Sequence, residues 1–203
     1  MSSREEVLGR IRTALGDRTP APGIVRDYRL ADGRAAGDPG LLDLLVDRLE
    51  DYKATVVRCG PGEVAATVAT ALTAAPGDVV VAPGLPADWR PDGAVEDDGR
   101  RAVELADFAA AVTGVSVATA DTGTLVLDGS PRSGRRALSL LPDVLVCVVE
   151  AGQVVGSVPE GLALVDPLAP LTMVSGPSAT SDIELQRVEG VHGPRTLIVV
   201  LVA

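Results

Sequence analysis

Three polar segments interrupt an otherwise apolar chain, and they hold most of the residues able to do chemistry. The richest runs Ser175-Gly176-Pro177-Ser178-Ala179-Thr180-Ser181-Asp182-Ile183-Glu184 and continues to Gly190-Val191-His192-Gly193-Pro194. It gathers hydroxyls, two carboxylates and the only histidine of the protein. Ser175, Gly176, Ser178 and Thr180 are candidate ligand-binding residues. Asp182, Glu184 and His192 are candidate catalytic ones, because a carboxylate can act as base or nucleophile and an imidazole suits proton transfer near neutral pH. Ser181 and Glu184 also fit a capping box, which would start a short helix at Ser181 with Ser175 to Ser178 in the loop at its positive end. Capping alone explains Ser181 and Glu184, but not Asp182 and His192.

The second segment is Asp121-Thr122-Gly123-Thr124. Its glycine permits close backbone approach and its hydroxyls can bond an oxyanion, although a Thr-Gly-Thr turn between two strands needs no further purpose. The third is Arg132-Ser133-Gly134-Arg135-Arg136, a basic patch in an acidic protein. Guanidinium groups bind carboxylate or phosphate bidentately. Arg132 and Arg135 read as surface arginines paired with acids, and Arg136, nearest the apolar run that follows, is the candidate ligand-binding arginine. Cys59-Gly60-Pro61-Gly62-Glu63 could offer amides to an anion, but it reads first as a strand-to-helix turn with proline at the first helical position.

Several chemistries lack their motifs. There is no G-x-S-x-G elbow, no Walker A motif (Lys53 is the only lysine), no H-E-x-x-H pair and no G-x-G-x-x-G. Cys59 and Cys147 stand alone, so the chain by itself has no cluster-type or structural-zinc spacing. Twenty-eight acidic against eighteen basic residues give a net charge of −10, which disfavours nucleic acid and anionic membranes as partners. Aromatic residues make up only 2% of the chain, too few for base-stacking platforms. No basic-then-apolar leader is apparent, and the apolar runs are too short for a bilayer span, so a soluble cytoplasmic protein is the expectation.

The elements that must position these segments follow from periodicity. A length of 203 residues suits one α/β domain, burying roughly 70% of its unfolded surface. Residues 3–15 read as an amphipathic helix capped by Ser3 and Glu6, with Val7, Leu8, Ile11, Ala14 and Leu15 on one face. Residues 16–40 read as an irregular connector, giving an N-terminal appendage over 1–40 and a single domain over 41–203. That domain alternates: helix 41–52, strand 54–58, helix 61–75, strand 78–82, helix 103–111, short strands 115–118 and 125–127, strand 144–149 and strand 196–202. Alternation of this kind predicts a mainly parallel sheet with helices on both faces, and the continuous apolar runs predict a sheet covered on both sides.

Ala120-Asp121-Thr122-Gly123-Thr124-Leu125, then Leu138 to Pro142, then Ser175-Gly176-Pro177-Ser178 with Thr180, Asp182, Ile183 and Glu184, then Gly190-Val191-His192-Gly193-Pro194, closely resemble the lactate-utilisation protein C family, or LUD domain. The resemblance covers most of the second half and extends to the first hundred residues only by layout. It implies a fold like that of the NagB/RpiA/CoA-transferase superfamily. It also implies a role in oxidising L-lactate to pyruvate beside separate iron-sulfur partner proteins, which would carry the clusters while this chain binds no cofactor and takes a small organic or phosphorylated anion. Two other readings stay open: a stand-alone acyl- or CoA-transferase-like or sugar-phosphate-isomerase-like enzyme using Asp182 or Glu184, and a non-catalytic assembly subunit docking through its N-terminal helix. Self-association is open as well.

Overall fold

The two longest β-branched runs of the sequence become neighbouring strands, β7 (Val144–Glu150) and β12 (Thr196–Val202). They pair in parallel from Thr196 opposite Val144 to Val202 opposite Glu150. Leu197 to Val202 are all buried, so both faces of the strand are covered and every side chain of the run contributes to the core. Each Val or Leu so buried stabilises by about 1.5–3 kcal/mol before chain entropy is counted. The computed structural model describes residues 2–16, 23–181, 187–189 and 192–203.

Around this pair the sheet is completed by β1 (Thr55–Cys59), β2 (Val79–Val81), β3 (Val95–Glu96) and β4 (Ala110–Gly114). Its order is β1-β12-β7-β4-β2-β3, with every pairing parallel. Helices α2 (Pro39–Asp51) and α3 (Val64–Leu72) pack on it, α2 burying Leu41, Leu42, Leu45 and Leu49 and α3 burying Val64, Val68 and Leu72. This is the α/β, mainly parallel architecture that the alternation predicts. The Cys59–Glu63 link is a turn, as read from sequence: Glu63 accepts a hydrogen bond from the Gly60 amide at 2.9 Å, which occupies that donor.

A smaller mixed sheet follows, built from β5 (Val117–Thr119), β6 (Thr124–Leu127), β8 (Val154–Val155) and β9 (Thr172–Val174) in the order β8-β5-β6-β9. Ala118, Leu125 and Val154 of this sheet join the main core. Short helices α5 (Arg136–Leu140) and α6 (Val158–Ala163) flank it in sequence. The antiparallel pair β10 (Ala179–Ser181) and β11 (Arg187–Glu189) precedes β12.

Three local expectations are corrected. Residues 103–111 are not one helix: a single turn, α4 (Ala102–Leu105), gives way to β4, where Ala110 and Ala111 are fully buried. The small side chains suit a helix by propensity, but pairing with β2 and β7 decides their state. Ser181 does not begin a helix, because it lies in β10 opposite Arg187. The N-terminal helix α1 (Ser3–Leu15) is capped one residue earlier than expected, by Ser2 and Glu5, with the Ser2 amide donating to Glu5 at 2.7 Å. No residue of α1 is buried, and Val7, Ile11 and Leu15 stand 55%, 48% and 45% exposed, so its apolar face does not dock on the body. Among the described residues no helix is long and apolar enough to cross a membrane.

Candidate functional site

Helix α5 starts immediately after the basic turn and offers one face, Arg136, Ser139 and Leu140, to an open space. The spacing is that of a helix, with positions three and four apart falling on one side. Facing α5 are β9 and the loop Ser175-Gly176-Pro177-Ser178, together with His192, Gly193 and Pro194. Leu145 and Leu197, at the amino ends of β7 and β12, close the space, leaving a cavity of about 340 Å³. Two of the three polar segments thus converge on one cavity, contributing Arg136, Ser175, Gly176, Ser178 and His192.

Two contacts fix the loop. Ser178 donates its amide to the Pro194 carbonyl at 2.9 Å and accepts the His192 amide on its Oγ at 3.2 Å, tying the loop to the segment entering β12. Gly176 sits at φ +97°, where a Cβ would lie 2.7 Å from the Tyr52 carbonyl oxygen, so only glycine lets the loop lie against the end of α2. Among the described residues no carboxylate lies within ion-pair distance of Arg136.

The Asp121–Thr124 segment reaches the cavity at one remove. It forms the turn between β5 and β6, and Gly123, at φ +58°, packs against Arg48 of α2. From Thr119 a line of hydroxyls runs outward: Thr119 to Thr122, Thr122 to Thr124 and Thr124 to Ser175, each 2.8 Å apart. Ser175 then lines the cavity, whereas Asp121, Thr122, Gly123 and Thr124 do not. The Asp121 amide bonds the Gly156 carbonyl at 3.1 Å, and its Oδ1 is buried with no hydrogen-bond partner among the described residues. Thr180 is placed only by its main chain, opposite Val188 in β10. Asp182 and Glu184 lie outside the described residues.

The other two arginines of the basic turn pair with acids, as their sequence reading expects, but the partner of Arg135 is a buried carboxylate rather than a surface one. Arg135 binds Asp97 through two nitrogens at 2.6 and 2.9 Å, and Asp97 is only 6% exposed. The Arg135 guanidinium holds the Asp97 carboxyl below its ordinary range against the opposing effect of burial. Arg132 pairs with Glu150 and lies 4.7 Å over the Trp89 ring. Behind this turn burial raises the Asp128 pKa, but hydrogen bonds from Ser130, Ser116 and Ser133 outweigh it and bring the carboxyl down to about 2. Both cysteines are free and buried, and burial pushes the Cys147 thiol up to about 12, so it carries no thiolate at neutral pH.

Sequence reasoning did not single out Ser139, Thr119 or the apolar walls Leu145, Leu171, Met173 and Leu197. Ser139 lies in the apolar run after Arg136, where the sequence reading places no helix. Leu145 and Leu197 read as ordinary strand residues, and Thr119, Leu171 and Met173 lie outside every element read from the sequence.

With this geometry in place, the relatives carry weight. The sequence pattern of the LUD domain matches residues 86–202, more than half of the chain. The chain belongs to the LUD domain family. It is 44% identical over 169 residues to a lactate utilization protein C of Deinococcus radiodurans, covering 80% of this chain and 79% of that one. A Bacillus licheniformis protein of the same name is 32% identical over 114 residues, 52% of this chain and 46% of that one. A solved structure of a DUF162 family protein from Deinococcus radiodurans superposes with a TM-score of 0.68 at 36% identity, covering 81% of this chain and 97% of the other. The LUD match takes in the whole cavity, from α5 through β9 and the Ser175–Ser178 loop to β12.

Proposed function

We propose that this LUD domain chain is a cytoplasmic component of lactate utilisation, and that its cavity holds the carboxylate of a small organic acid beside Arg136. The observation that carries the reading is the meeting of Arg136, His192, Ser175 and Ser178 around one cavity, with no carboxylate paired to Arg136 among the described residues. A guanidinium and two hydroxyls can bind a carboxylate, and an adjacent imidazole can take or return the hydroxyl proton of a 2-hydroxy acid. The names of the relatives supply the acid, lactate.

Oxidation of lactate to pyruvate removes two electrons and two protons. In this reading separate iron-sulfur partner proteins accept the electrons, and this chain binds no cofactor of its own. His192, or Asp182 ten residues before it in sequence, takes the hydroxyl proton, and the second proton leaves with the electrons to the partner proteins or to solvent.

The test is calorimetric titration of L-lactate and pyruvate into the wild-type protein and Arg136→Gln. Loss of one charge-assisted contact should weaken binding about tenfold. Absence of heat with both acids, or equal affinity in the variant, would overturn the assignment.

A further inference from the structure

The cavity is larger and more apolar than a three-carbon acid requires: its charged and titratable groups stand at the rim and its floor is mostly aliphatic. Its exposed polar residues are Arg136, Ser175 and His192, with the Met173 side chain, 52% exposed, beside them at the rim. Its deep residues are mostly apolar: Leu145 and Leu197 are each 1% exposed, and Pro177 and Pro194 are buried. Leu140, Leu171 and Val174, half-buried, form the walls between. Two buried hydroxyls also line it, Thr172 and Ser139, the latter donating to the Arg136 carbonyl at 3.1 Å.

At about 30 Å³ per water, the 340 Å³ of space would take about eleven waters, whereas lactate, with its carboxylate, hydroxyl and methyl, fills about a third of it. A carboxylate pushed to the floor would lose its hydration against Leu145, Leu197 and two prolines. Held at the rim by Arg136 it keeps both its cation and some water, and whatever is attached to it points inward.

From this separation we propose that the cavity selects an amphipathic carboxylate: a 2-hydroxy or 2-oxo acid whose aliphatic chain is longer than the methyl of lactate. The proposal rests on the reading of the cavity as an organic-acid site and narrows its ligand class. The head group stays at Arg136, Ser175 and His192, and the chain lies along Leu140, Leu171 and Val174 toward Leu145 and Leu197. Each methylene moved from water into such surroundings strengthens binding about fourfold.

The experiment is a calorimetric series on the full chain with L-lactate, L-2-hydroxybutyrate, L-2-hydroxyvalerate and L-2-hydroxyisocaproate. The expected result is a stepwise gain of about fourfold per added methylene. Val174→Thr keeps the shape of the wall and adds a hydroxyl; it should weaken the longest acid about threefold or more and leave lactate within about twofold. A wild-type series that is flat or falls with chain length overturns the ligand class and leaves the organic-acid site standing. No heat with any of the four acids overturns the site itself, and the ligand class with it. If Val174→Thr fails to fold, the wild-type series decides alone.

Discussion

The two ends of the main parallel sheet both carry arginines; at the amino end Arg195 pairs with Asp143 at 3.6 Å, but Arg136 faces the cavity. At the carboxyl end, where open α/β sheets commonly bind ligands, the arginines are committed to the protein. Arg90 bonds the carbonyls of Leu85 and Pro83 and pairs with Glu96; Arg132 pairs with Glu150; Arg135 grips Asp97. At the amino end of β7 and β12 the cavity has Arg136, with no carboxylate paired to it among the described residues. Arg135 and Arg136 are sequence neighbours, but Arg135 precedes α5 and turns to Asp97, while Arg136 opens the helix and faces the cavity. Of Arg90, Arg132, Arg135 and Arg136, only Arg136 has no carboxylate beside it among the described residues, and strand direction alone does not single it out.

The strongest way to break this contrast is Arg135→Ala. It leaves the Asp97 carboxylate, 6% exposed, without its bidentate partner. Leaving this buried carboxylate without its half-exposed partner should cost about 2 kcal/mol, measured by urea unfolding. Anion affinity, measured on the fraction still folded, should stay near wild type. A stable variant that lost anion binding would place Arg135 on the functional side.

Acid should act on the same end. Asp128 has a pKa lowered from 3.8 to about 2, so its folded-state contribution is fully present above its unfolded value and is lost as pH falls from 3.8 through about 2. Asp97 is lowered too and adds in the same direction. Discounted for solvent screening, the Asp128 part is about 1 kcal/mol. Asp128→Asn should therefore flatten the dependence of the urea midpoint on pH in that window while costing stability at neutral pH. An unchanged acid profile would show that the Ser116, Ser130 and Ser133 hydroxyls do not hold the carboxylate in solution.

The division between legible and hidden features follows range of interaction. Strand β12 is readable from its sequence because seven consecutive residues, Thr196 to Val202, suit only a strand buried on both faces. Arg135 and Arg136 could be separated by their distance from the apolar run. Strand β4 was hidden because Ala110 and Ala111 have no strand preference and are placed by β2 and β7. The cavity was hidden because its walls come from α5, β9 and the entrance to β12, and no local pattern says that these meet. Thr119 was hidden for a similar reason, since a strand threonine announces neither a hydroxyl line nor the Ser175 at its far end.

That line gives the smallest effect and the finest test, because it joins a structural turn to the cavity. Ser175 has one proton, and a ligand carboxylate at the rim needs it as donor. With Thr119 donating to Thr122, Thr122 to Thr124 and Thr124 to Ser175, each proton is used along the line and that of Ser175 is left for the cavity. An anion in the cavity favours this direction, since every O–H dipole then points its positive end toward the charge. Thr124→Val keeps the shape but removes the link, freeing Ser175 to turn its proton elsewhere. Affinity for pyruvate should drop about threefold, in the range of a neutral hydrogen bond, with little change in the unfolding midpoint. Thr124→Ser should restore it. Equal affinity in the valine variant would return the hydroxyl line to the structural side of the comparison and leave Arg136 to hold the anion without it.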